Sequence, residues 1–139
     1  MVLSREARVM SGVTLLTVPT IVFGGLTVLA VVTQGAHGSP FAPPLTASQQ
    51  ALYRAGHAHA GVLLILSLVL QVLLDSAALS PTAKWVARVA APSAAILLSG
   101  GFFGIAHLPA LGVLLWLGAA ALVTATVVAG VGLVKKSAA

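Results

Sequence analysis

Apolar residues run through this chain in four long blocks, separated by three polar or proline-containing breaks. The blocks cover residues 12–32, 47–74, 84–106 and 110–134. Each is near or above the ~20 residues an α-helix needs to cross a bilayer core. The first break, Gln34 to Pro44, is dense in glycine and proline and should not be helical. The second contains Asp75, Ser80 and Pro81, and the third is a short interruption around His107 and Pro109. Thr46 or Ser48 is the expected N-cap of the second helix, with Gln49 and Gln50 in its first turn. Pro19 and Pro92 fall inside apolar blocks. Each should kink its helix or lie where a neighbour satisfies the carbonyl it leaves free.

Composition turns these blocks into membrane spans. The chain is 59% hydrophobic and 6% charged, whereas a soluble domain carries about 25% charged residues. Seven Lys/Arg and two Asp/Glu cannot cover a water-exposed surface. The expected fold is therefore an all-α integral membrane protein, a single four-transmembrane-helix bundle whose first partner is the lipid bilayer. Arg5 and Arg8 precede the first block as they would a signal peptide. Its apolar run exceeds the ~7–15 residues of a signal core, so a true first span is expected.

The net charge of +5 is spread over block ends, a topology signal and not a nucleic-acid footprint. With the N-terminus inside, Arg5, Arg8, Lys84, Arg88, Lys135 and Lys136 fall on the cytoplasmic side, and Arg54 falls outside. The expected location is the cell membrane, multi-pass, with both termini cytoplasmic. Trp85 and Trp116 suit the inner and outer interfaces.

Candidate chemistry is narrow. There is no cysteine, so thiolate sites and disulfides are excluded. Glu6 and Asp75, the two carboxylates, both belong to the cytoplasmic edge, which leaves neither a carboxylate pair nor a Ser-His-acid triad. No phosphate-binding loop, dinucleotide fingerprint or H-E-x-x-H occurs. The chain leans away from being an enzyme. Imidazole remains. His37, His57, His59 and His107 all map to the outer face in this topology.

His57 and His59 lie two apart on one helix, which turns about 100° per residue, so they point to nearly opposite sides and cannot chelate one ion. His57 shares a stripe with Tyr53, Gly61, Leu64, Ser67 and Gln71, which should face the protein interior. His59 shares one with Leu52, Ala55, Val62, Leu63, Leu66 and Leu70, which looks lipid-facing. An imidazole exposed to lipid is unfavourable. His59 should then meet a second chain or reach the headgroups, which favours self-association. Gly100 and Gly104 form a small-residue pair with His107 one turn beyond. They suit helix packing or a groove for a porphyrin lying against glycine backbone.

Haem b is the favoured ligand. His57 or His59 would be the axial ligand, Gly56 and Gly104 would give room, and Arg54 would meet the propionates. Copper, or another His-binding metal such as zinc, is the alternative, with His57, His59, His107 and His37 as candidate ligands. The contrasting expectation is a non-catalytic membrane module with purely structural histidines. The run Gly56-His57-Ala58-His59 resembles the H-x-H helix of the haem–copper oxidase catalytic subunit, where two histidines two apart ligate two haems on opposite sides. That subunit has twelve helices in three pseudo-symmetric groups of four, so the resemblance implies a trimer of this four-helix chain. It also implies His57 and His59 as axial ligands, each on its own side. The chain lacks that family's copper-site histidine trio and its intramembrane acidic path. The implication stops at a b-type haem protein for electron transfer, sensing or haem handling.

Overall fold

The computed structural model describes residues 2–34 and 45–135. Their order is α1 (Arg5–Leu16), α2 (Val18–Gln34), α3 (Ala47–Ser76), α4 (Pro81–Ile105), a 3-10 turn (Pro109–Gly112) and α5 (Val113–Val134). Four helical stretches are long and apolar enough to cross a membrane: Arg5–Thr33, Ala47–Ser76, Pro81–Ile105 and Pro109–Val134. The expected all-helical, four-span architecture is therefore present. The Gly/Pro-rich break from 35 to 44, with His37, lies outside the described residues, as does Lys136.

Capping residues, and not the edges of the apolar blocks, set where the helices begin. The first span starts at Arg5 instead of Gly12, because the Ser4 hydroxyl accepts the Ala7 N–H at 3.1 Å. It is then interrupted at Thr17, so the single first helix expected from sequence is two. Pro19 takes the second position of α2, where its missing N–H leaves nothing unpaired. The third span starts at Pro81 instead of Lys84, capped by Ser80. For α3 the cap is Thr46, one of the two expected. Its hydroxyl accepts from Gln49 N, and the Gln49 side chain returns a bond to the Thr46 N–H.

Successive spans run antiparallel, and α3 and α5, alternate spans, also touch. The core joins Leu70 and Leu74 of α3, Ala87 and Ala91 of α4, and Ala125 and Ala129 of α5. Glycines let α4 and α5 approach closely. A Cβ on Gly101 would lie 2.6 Å from a Leu115 methyl, and one on Gly118 would lie 2.8 Å from the Leu98 backbone nitrogen. The first span packs from outside this core, mainly on α3, and leaves Val22, Phe23, Leu26 and Leu29 exposed.

Candidate functional site

Three of the four histidines are described, and all lie at one end of the bundle. Gln49, the N3 residue of α3, also donates from Nε2 to the Ala106 carbonyl at 2.8 Å, pinning the start of α3 to the end of α4. One turn on, the Tyr53 hydroxyl meets His107 Nε2 at 2.8 Å, and the Tyr53 ring stands edge-on to Phe103 at 5.3 Å. His107 itself is exposed. Its role in this geometry is an interhelical latch. Arg54, the residue after Tyr53, is exposed too.

His57 and His59 do point apart, as helical spacing requires, and each meets another helix of its own chain. His57 turns to α2, its Nε2 only 2.7 Å from where a Cβ on Gly25 would be. His59, half-buried, packs against α4 of its own chain. Its ring lies 4.7 Å from Phe102 of α4, tilted by 34°. Its stripe is the reason. Leu63 and Leu70 on that face are buried, because α4 covers it, and Val62 is its exposed member. The His57 stripe is buried from Leu64 onward, at Leu64, Ser67 and Gln71.

The His59 ring has a defined hydrogen-bond state. Its Nδ1 lies 2.7 Å from the Ala55 carbonyl oxygen, which can only accept, so Nδ1 donates. In the neutral ring Nε2 then carries the free lone pair. This backbone-anchored tautomer is the one a metal-ligating histidine uses. His57 Nε2, by contrast, already abuts α2. The two rings therefore differ in their anchoring, His59 by a backbone hydrogen bond and Phe102, His57 by its packing on Gly25.

The glycines serve packing. A Cβ on Gly56 would meet Phe102 and Phe103 at 3.1 to 3.2 Å, and one on Gly104 would meet Leu111 at 2.7 Å. The groove expected at Gly104 is filled by the chain's own leucine. Among the described residues, no three His, Asp or Glu gather into a set able to hold a metal. Of the candidate metal ligands, His57 packs on α2, His59 on Phe102 and His107 on Tyr53, and His37 lies outside the described residues.

A second polar cluster, at the opposite end, was not foreseen. Arg88 is 3% exposed and pairs with Asp75, which is 13% exposed. Arg88 also donates from Nη1 to the Gln71 carbonyl at 2.9 Å and to Gln71 Oε1 at 3.0 Å. Gln71 Nε2 returns a bond to the Arg88 carbonyl at 2.9 Å. Ser4 donates to Asp75 from both its N–H and its hydroxyl. A proline removes the hydrogen bond to the carbonyl four residues earlier, which for Pro92 is the Arg88 carbonyl. Gln71 fills that gap. Pro92 and Gln71 were both visible in the sequence, but their pairing across α3 and α4 was not.

A third feature lies between these ends. A cavity of about 300 Å³ is bounded by the α1–α2 junction, α3 and α4. Its walls include Thr14, Thr17 and Thr20, together with Ser67, Pro92 and Ser99.

Compared with protein-family models, curated proteins and solved structures, the chain matches none of them.

Proposed function

We propose that this is a membrane-embedded haem b protein in which His59 is the axial ligand, serving electron transfer, sensing or haem handling. One observation carries the reading: the bond from His59 Nδ1 to the Ala55 carbonyl orients the ring and leaves Nε2 as a lone-pair donor. Phe102 beside the ring gives it an apolar wall. Arg54, exposed on the next turn toward the helix start, suits a propionate at the headgroup level. Haem held there supplies a one-electron redox centre. The chain's own part is to fix the imidazole and keep the site at the membrane edge.

Purified protein is expected to take up hemin and show a Soret band that is lost in His59→Ala and kept in His107→Ala. A colourless protein that hemin does not reconstitute would sink the proposal. The structural reading draws on the Tyr53–His107 bond and the packing of His57 on Gly25. It predicts no uptake and a loss of stability in His57→Ala, His59→Ala and His107→Ala alike. Copper or zinc on these histidines has less support, since no three such ligands gather among the described residues. Metal analysis of the same sample tests it.

Self-association as a trimer belongs to the same proposal. Its support is the resemblance of three four-helix chains to the twelve-helix oxidase subunit, since His59 no longer calls for a neighbouring chain. A detergent-corrected mass of one chain would refute it. The proposed setting is the cell membrane with both termini cytoplasmic, supported by Arg5, Arg8, Lys84 and Lys135 lying at one end and Arg54 at the other.

A further inference from the structure

Hydroxyls in an apolar span ordinarily donate to a carbonyl of the preceding turn. The threonines here do so: Thr14 to the Met10 carbonyl at 2.8 Å, Thr17 to Thr14 at 2.7 Å, and Thr20 to Thr17 at 2.6 Å. Ser67 and Ser99 do not. Ser67 is 0% exposed and Ser99 8% exposed, and the hydroxyl of each is buried without a hydrogen-bond partner. Both line the cavity of about 300 Å³. An unmade buried hydrogen bond is costly, and two that border one cavity mark a place where a guest could supply the missing acceptors.

The walls define the guest. Val13, Ile21, Leu64 and Ile96 are apolar, and no lining residue is charged. The guest is therefore neutral with an apolar body. The cavity lies at hydrocarbon depth. Ser67 sits nine residues before the end of α3, about 14 Å at 1.5 Å per residue. A molecule reaching it must dissolve in the bilayer. It must also present acceptor oxygens, because the two serine protons are what the protein has left over. An acyl chain has no such oxygen. The volume is at the small end of ligand pockets, roughly 300–1,000 Å³, enough for a compact ring system.

We infer that this cavity binds a neutral, membrane-soluble carbonyl compound of the quinone class, with Ser67 and Ser99 donating hydrogen bonds to its carbonyl oxygens. The break at Thr17, two residues before Pro19, lies in the cavity wall between Thr14 and Thr20. This inference does not depend on haem and is tested on haem-free protein.

The test uses the full chain in lipid nanodiscs with menadione, and with 2-methylnaphthalene as the same ring skeleton without oxygens. Saturable one-to-one binding of menadione is expected, about tenfold or more tighter than 2-methylnaphthalene. Ser67→Ala and Ser99→Ala should each weaken menadione binding about three- to tenfold, the range of one hydrogen bond. Neither should lower the resistance of the ligand-free protein to unfolding, because each removes an unsatisfied group. Ala95→Leu, which fills the cavity, should abolish binding. Absence of saturable binding, as a merely water-filled cavity would give, overturns the inference. So does equal affinity for the two compounds, or menadione binding indifferent to both serine substitutions.

Discussion

Arg88 illustrates how one buried charge is made tolerable. Its guanidinium is held by the Asp75 carboxylate on one side and by the carbonyl and side-chain oxygens of Gln71 on the other. Its own carbonyl, freed by Pro92, is taken up by the Gln71 amide. Lys84 adds a bond to the Asp75 carbonyl at 3.2 Å, where α3 ends and its last carbonyls lack helical partners. Removing one partner of a buried ion pair strands the other charge at a cost of about 3–5 kcal/mol. Asp75→Asn should lie toward the lower end, about 3 kcal/mol, because Gln71 still holds Arg88. Unfolding in mixed micelles with increasing SDS measures this. Adding Arg88→Met to Asp75→Asn should cost less than the sum of the two single changes, and strict additivity would show that the pair does not act as a unit. Neither residue announced this role in the sequence, where both served as markers of the cytoplasmic edge. The legible clue was Pro92, which fixes which carbonyl needs a partner but not who provides it.

At the scale of elements, α4 and α5 are joined by a seam of small residues. Ala87, Ala91, Ala94 and Gly101 are buried on α4, and Gly118, Ala125 and Ala129 on α5, while Gly132 meets Leu79 in the connection before α4. Lipid tails are as apolar as leucine, so helices in a bilayer associate by close van der Waals contact, which small side chains permit. The fourth block is rich in Ala, Val and Gly, a composition that fits the seam. Two glycines of α5 separate packing from mere tolerance. A Cβ on Gly118 would press on the backbone of Leu98, which cannot rotate away, whereas one on Gly130 would meet nothing within 4 Å. Gly118→Ala should destabilise by about 1–3 kcal/mol, as overpacking does. Gly130→Ala should be neutral or stabilising by up to ~1 kcal/mol through helix propensity. The same SDS titration compares them, and equal effects would refute the seam. A period-3.6 search for an apolar stripe finds no seam here, because every face of these helices is apolar.

For the whole molecule, the two ends differ in chemistry. Histidine, tyrosine and Arg54 collect where α3 begins and α4 ends, and the Arg88–Asp75 cluster collects where α3 ends and α4 begins. Only four of the described Lys/Arg residues at the second end stay outside that buried pair, namely Arg5, Arg8, Lys84 and Lys135. They still outnumber Arg54, so the orientation argument survives the burial of Arg88. The chain has no cysteine, so single labels are clean. Ser48→Cys should react with an impermeant maleimide from outside intact cells, and Thr82→Cys only after the membrane is opened. The reverse pattern would invert the topology. What the sequence determined alone was the number of spans and their alternation across the bilayer. Those follow from length, apolar content and the need of every backbone N–H and C=O for a partner within the membrane. It also determined that His57 and His59 diverge, because that is local helical geometry. Tertiary structure decided which helix meets each ring, that leucines fill the Gly104 notch, that Gln71 completes the Pro92 gap and that Ser67 and Ser99 border a cavity. In a chain whose helices are apolar all round, hydrophobicity does not say which face is inside. Shape complementarity and the few polar partners make that choice, and they exist only once the helices are packed.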